Sequence, residues 1–144
     1  MSIFLATAAY SQILYALDQS RPFSAHWTLA GWQAELAQTA SQVWCAEKEG
    51  QVVGFIAVRG VAGQYEILNL AVAADQARLG IASTLVSHVL DSLAAGGTVQ
   101  ISLEVSTANQ PALALYRKIG FSVVGVRKKF YPDGADGLIM EKKL

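Results

Sequence analysis

Apolar residues recur along the chain with two different periods. From Val99 to Ser106 they alternate strictly: Val99, Ile101, Leu103 and Val105 face one way, and Gln100, Ser102, Glu104 and Ser106 the other, as in a half-buried strand. Just upstream, Ile81, Leu85, Val89 and Leu93 recur every four residues with Ala82, Val86 and Leu90 beside them. That spacing predicts a long helix, which Gly96-Gly97 ends. Nearer the start, Ile3–Leu5 reads as a short strand and Ala8–Gln19 as a helix, with Thr7 as its cap and Ile13, Ala16 and Leu17 on its inner face. Thr28–Thr39 is a second helix. Gln42–Glu47 and Val52–Gly60 form an antiparallel hairpin turning at Gly50, and Gln64–Ala73 extends it. After the alternating strand, Asn109 caps a helix that tolerates Pro111 in its first turn, carries Ala112, Leu115, Tyr116 and Ile119 inward, and stops at Gly120. Phe121–Val126 and Leu138–Lys142 close the chain as strands around the turn Tyr131-Pro132-Asp133-Gly134. A β-rich first half followed by β-α-β-α-β-β predicts a mixed α/β domain and not a doubly wound nucleotide fold.

Composition narrows what this domain can do. The 144 residues are 53% apolar, enough for one core, so a single domain over residues 1–144 is expected. Lys+Arg and Asp+Glu both total 11, and the zero net charge argues against direct nucleic-acid binding. The basic residues are nevertheless uneven: Arg117, Lys118, Arg127, Lys128 and Lys129 form a region free of acids, either a solvated face or an attraction for an anionic surface. Cys45 lies in an apolar run with no second cysteine, and reads as a small buried hydrophobe. His26 and His88 have no metal-ligand spacing, so no metal is expected. The first 17 residues are uncharged, but they lack a basic leader and Tyr10-Ser11-Gln12 interrupts their apolar run. No stretch reaches membrane-spanning length, and a cytoplasmic protein with no membrane association is expected.

The segment Ile67–Ala82 carries the first chemical signal. A strand-like run passes into the long helix through a turn built on Arg78, Gly80 and Ala82. Such a turn offers free backbone N–H groups at the positive end of a helix dipole, which suits a phosphate or pyrophosphate. No Gly-Lys-Ser/Thr follows, so it is not a Walker A loop, and it is not a full GxGxxG. A tight turn that merely packs a helix on a sheet needs the same small residues.

The rest of the pattern resembles one family. Leu68, Leu70-Ala71-Val72, Arg78, Gly80 and Ala82, followed by Leu103-Glu104-Val105, Asn109, Ala112, Leu115-Tyr116 and Ile119-Gly120-Phe121, resemble the motifs of the GNAT superfamily of N-acetyltransferases, in the expected order. The late Arg127-Lys128-Lys129-Phe130-Tyr131-Pro132, the closing Ile139-Met140 and an early His26-Trp27-Thr28 resemble the RimI type, which acetylates the N-terminal alanine of a small-subunit ribosomal protein. The resemblance covers most of the chain. It implies a GNAT fold, a mixed but mostly antiparallel twisted sheet of six to seven strands flanked by about four helices.

It also implies site residues. Acetyl-CoA is the co-substrate, with the backbone of Leu70, Ala71 and Val72 on its pantetheine amides. The backbone of Arg78, Leu79, Gly80, Ile81, Ala82 and Ser83 takes its pyrophosphate, and Asn109 also touches the cofactor. Glu104 is the general base and Tyr116 the general acid of a direct transfer. Trp27 and Tyr131 wall the acceptor groove. Each residue also has a plain structural reading: Glu104 as a solvent-facing strand acid, Tyr116, Trp27 and Tyr131 as packed aromatics, Asn109 as a helix cap. An N-terminal amine titrates at about 7.7–8.0, so the base has a light task. A phenol near about 10 gives its proton to a thiolate near about 8.5 uphill by about 2 kcal/mol, so Tyr116 serves first as a hydrogen-bond donor to sulfur. Two departures stand out. Ala77 replaces the usual Gln or Arg, which removes a side-chain phosphate contact, and His26 replaces the Pro before the Trp. A ribosomal-protein N-terminus is the expected acceptor, with another N-terminus, a lysine side chain or a small amine as alternatives. A CoA-binding module without turnover is the remaining one. The chain is expected to act as a monomer or weak dimer.

Overall fold

The computed structural model describes residues 1–144. The strands are β1 (Ser2–Leu5), β2 (Ser41–Lys48), β3 (Gln51–Val61), β4 (Gln64–Val72), β5 (Gln100–Ser106), β6 (Ser122–Arg127) and β7 (Gly137–Lys143). The helices are α1 (Ser11–Gln19), α2 (Leu29–Ala37), α3 (Ile81–Ala95) and α4 (Gln110–Ile119). All seven strands form one sheet in the order β1-β2-β3-β4-β5-β7-β6. Every neighbouring pair is antiparallel except β4 and β5, which run parallel because α3 crosses between them. This is the mixed, mostly antiparallel architecture that the family resemblance implies.

Both faces of the sheet are covered. β3 shows how: Phe55 and Ala57 point into a cluster with Leu14 of α1 and Trp32 of α2, while Ile56 and Val58 point into a larger one with Leu85, Val86 and Val89 of α3 and Leu113 and Tyr116 of α4. A strand buried on both sides reads as a continuous apolar run, which accounts for Val53–Val58. Gly54 lets α3 approach closely, since a Cβ there would lie 3.2 Å from both the Ala71 carbonyl oxygen and Leu85 Cδ1.

Two helix faces differ from the pattern reading. In α1 the buried residues are Ser11, Leu14 and Asp18, while Ile13 is 49% exposed and Ala16 also faces solvent. The helix is rotated because Asp18 has its hydrogen-bond partners inside, and no apolar stripe records that. Its first turn is 3-10, and Thr7 makes no side-chain capping bond. In α4, Leu113 is buried with Tyr116, while Ala112, Leu115 and Ile119 only flank the core.

The sheet forks at its centre. β4 and β5 pair only from Gln64↔Gln100 to Ile67↔Leu103. Beyond that, β4 stays with β3 as far as Gly54↔Val72, and β5 stays with β7 as far as Ser106↔Gly137. Leu68 is the extra residue of a bulge, since Ala57 pairs Asn69 and Val58 pairs Ile67. A bulge bends its strand and increases the local twist, turning β4 away from β5 where the fork begins.

Candidate active site

A cleft of about 610 Å³ opens at the fork. Its floor is Ile67–Leu70 of β4 and Leu103–Ser106 of β5. One wall is Pro22–His26 from the α1–α2 loop, and the others are α4 and the β6–β7 loop. Among the residues expected at a site, Leu70, Glu104, Asn109, Tyr116 and Tyr131 line this one cleft.

Glu104 owes its position to the alternation of β5, with its neighbours Leu103 and Val105 in the core. Its side chain is 24% exposed, and Oε1 forms an ion pair with Arg127 Nε at 2.9 Å. The Arg127 guanidinium lies over the Phe130 ring, 5.2 Å from its centroid. The sequence places Arg127 in a basic region and in the late family-like segment but does not pair it with Glu104, because nothing local says that the end of β6 reaches across β7 to β5. The pair is open to solvent, so it orients Glu104 more than it stabilises the fold, contributing about 0.2–1 kcal/mol.

Tyr116 is 5% exposed, its ring edge-on to Phe121 with centroids 5.5 Å apart. Burial pushes its phenol well above the ordinary range. No protein group bonds its hydroxyl, and the oxygen is not sealed in, so it reaches the cleft. Asn109 caps α4 by accepting from the Ala112 N–H at 3.4 Å and lines the cleft as well, so its two readings coexist. Tyr131 sits in a folded loop whose Gly134 N–H returns to the Tyr131 carbonyl at 2.9 Å. Burial and the nearby Glu104 charge raise its phenol, and Arg127 partly offsets them.

The turn before α3 lies beside β4. Gly80 has φ +79° and Arg78 φ +64°. An added Cβ at Gly80 would meet no protein atom, so the demand for glycine comes from its backbone angle. None of the amides of residues 78–83 donates to a protein acceptor, and the first turn of α3 holds no acid. The positive helix end is left open to an anion. In β4, Val72 is half-buried, and Ala71 packs into the core against Trp32 and Phe55.

Trp27 lies outside the main cleft. It borders a second depression of about 390 Å³ with Thr28, Gly31, Glu35 and Arg59, which meets the cleft at Leu68. There Arg59 grips the Glu35 carboxylate through Nε and Nη2. Burial would raise the Glu35 carboxyl, but hydrogen bonds from Arg59 and Ser41 and the Arg59 charge together hold it below its usual value. Cys45 is fully buried, its thiol pushed up to about 12 by burial and by the Glu47 charge, which makes it a poor nucleophile. No cluster of three or more His, Cys, Asp or Glu side chains stands ready for a metal.

Asp18 and Asn69 escaped the sequence reading. Asp18 Oδ1 accepts from the His26 N–H at 2.9 Å, and Oδ2 accepts from the Trp27 N–H at 2.8 Å, Trp32 Nε1 at 3.1 Å and Asn69 Nδ2 at 3.1 Å. Asn69 Oδ1 in turn accepts from the Ala25 N–H at 3.0 Å. One signal was available: a carboxylate in the last turn of a helix opposes the dipole and needs a reason to be there.

Comparisons with known proteins identify the family and the fold. A family model described as the acetyltransferase (GNAT) family matches residues 9–121. The chain is 36% identical over 121 residues to the N-alpha-acetyltransferase RimI of Mycobacterium tuberculosis, covering 81% of this chain and 75% of that protein. It is 32% identical over 95 residues to the ribosomal protein bS18-alanine N-acetyltransferase of Escherichia coli, covering 65% of this chain and 64% of that protein's length. The crystal structure of the Escherichia coli ribosomal-protein-S18-alanine N-acetyltransferase superposes with a TM-score of 0.90 at 24% identity, over 99% of this chain and 92% of that one, and shares its fold.

Proposed function

Because the chain belongs to the acetyltransferase (GNAT) family, we propose that it transfers an acetyl group from acetyl-CoA directly to the N-terminal alanine of a small-subunit ribosomal protein. The observation that carries this reading is the fork between β4 and β5, which gathers Glu104, Asn109, Tyr116 and Tyr131 around one cleft.

The residues present fit the co-substrate. The free edge of Leu70, Ala71 and Val72 offers backbone groups to the pantetheine amides, as an added strand would. The unpaired amides of residues 78–83 suit the pyrophosphate. Each dipole contact adds only about 0.3–1 kcal/mol, so the grip comes from several converging N–H groups. Acetyl-CoA supplies an activated thioester, which leaves positioning and proton movement to the protein.

Glu104 Oε1 is paired with Arg127, and Oε2, which bonds no protein group and is not sealed in, is open to the acceptor's α-amine. Glu104 orients the amine and accepts, directly or through a water, the proton that nitrogen sheds as it bonds the thioester carbonyl and the C–S bond breaks; because a carboxylate is a weak acceptor for an ammonium proton, that proton passes on to solvent. Tyr116 presents its hydroxyl to the departing sulfur. Its raised pKa favours hydrogen-bond donation, with proton transfer late. No acyl-enzyme is needed, and buried Cys45 has no part. A ribosomal acceptor places the work in the cytoplasm.

The test is acetyl transfer measured for peptides beginning with Ala, beside free polyamines and peptides whose only amine is an internal lysine. Preferential turnover of the Ala peptides is expected. Equal or better turnover of the others would move the acceptor to that class, and tight CoA binding with no transfer to any amine would remove the enzymatic reading.

A further inference from the structure

Asp18 occupies a place that neither helix electrostatics nor burial favours. It is the second-last residue of α1, at the negative end of the dipole, and is 0% exposed. A buried carboxylate persists only where donors replace its water, and here four do. Two of them are backbone N–H groups of the α1–α2 loop, one comes from α2 and one from β4. An apolar residue packed against Trp32 and Phe55 would need no donors, whereas Asp18 ties the loop, α2 and β4 to one point.

What the network holds is one wall of the cleft. The segment between α1 and α2 has no strand or helix to fix it, yet four of its successive residues, Ser24 to Trp27, are pinned to this pair. Ser24 Oγ donates to the Asp18 carbonyl at 2.7 Å, Ala25 N–H to Asn69, and the His26 and Trp27 N–H groups to the Asp18 carboxylate. His26 is held at φ +56°, in the left-handed region, and its ring bonds the Arg21 carbonyl. Asn69 is the residue next to the Leu68 bulge, so the wall is referenced to the point where β4 and β5 part. No hydrogen bond of the network reaches the α3 turn or α4.

We infer that Asp18 is a positioning residue for acceptor recognition. Through Asn69 and the loop amides, it sets the distance between the Ser24–His26 wall and the cleft floor. The inference rests on the reading of the cleft as an acetyl-acceptor site. Asp18 touches neither substrate and acts through the wall.

The test is Asp18→Asn in the full chain, which keeps the shape but turns one acceptor oxygen into a donor that faces other donors. The acceptor is whichever amine the wild-type protein acetylates best, so a wrong acceptor class fails in the wild type and a wrong role for Asp18 fails only in the variant. The KM for the acceptor should rise about tenfold or more, with acetyl-CoA binding by calorimetry unchanged within about twofold. The His26 and Trp27 amides should exchange faster with deuterium. Trp32→Phe removes one donor from outside the cleft and keeps an aromatic ring; it should show the same pattern at about two- to fivefold, and it serves if Asp18→Asn does not fold. Acceptor and acetyl-CoA constants that weaken together would mark a merely structural role. An unchanged acceptor KM with faster amide exchange would also overturn the inference.

Discussion

Replacing Tyr116 by Phe removes one oxygen and leaves the ring. The ring does the packing: it is buried, belongs to the larger core cluster and meets Phe121 edge-on. The hydroxyl bonds no protein group, so its loss leaves nothing unsatisfied and stability should change by less than about 1 kcal/mol. In the proposed reaction the same oxygen donates to sulfur as negative charge develops there. A hydrogen bond to a charged group contributes about 1.5–3 kcal/mol, so kcat should fall about 10- to 150-fold. Acetyl-CoA affinity should hardly move, because that charge is absent from the ground state. The assay is steady-state kinetics with calorimetric binding of acetyl-CoA and a thermal melt on the same preparation. The wild-type pH profile adds a check. Burial raises the phenol, so Tyr116 stays protonated past pH 10 and adds no falling limb to kcat between pH 8 and about 10. An unchanged kcat would remove Tyr116 from the chemistry, and a parallel fall in acetyl-CoA affinity would reassign it to binding.

Glu104→Gln should slow turnover most near pH 7 and progressively less as pH rises past about 8, where an α-amine loses its proton unaided; a loss that is flat across pH would point to a structural role. Gly80→Ala puts a Cβ on a residue at φ +79°, at a cost of about 1–2 kcal/mol. Distortion of the α3 turn should raise the acetyl-CoA KM about tenfold and spare the acceptor KM, and the opposite split would refute the pyrophosphate role of the turn. Cys45 should resist thiol reagents at pH 8 while the protein is folded and react once it is denatured. Because its folded pKa is raised to about 12, its contribution to stability is intact below the unfolded thiol's value of about 8.5 and is lost as pH climbs from there. Rapid labelling of the native protein would contradict this burial.

The sequence alone determined the elements and five of the residues that line the cleft, Leu70, Glu104, Asn109, Tyr116 and Tyr131. The alternation of β5 put Glu104 opposite Leu103 and Val105, and the four-residue spacing of α3 with its glycine turn marked the anion-ready helix end. Asn109 announced the start of α4, and the order of these signals carried the family resemblance. All of them are local: side-chain periodicity and turn chemistry act over a few residues and can be read from neighbours. Only the tertiary structure decided which groups meet. Arg127 reaches Glu104 because β7 lies between β5 and β6, an order the chain does not follow in sequence. Trp27 falls beside the second depression, its N–H held by Asp18 and its ring edge-on to Trp32 of α2. The inner face of α1 is set by Asp18, whose partner Asn69 lies 51 residues away, and an apolar stripe cannot record a helix rotated to satisfy a buried charge. The fork itself depends on where the Leu68 bulge ends the pairing of two parallel strands, a balance of twist and pairing spread over the whole sheet.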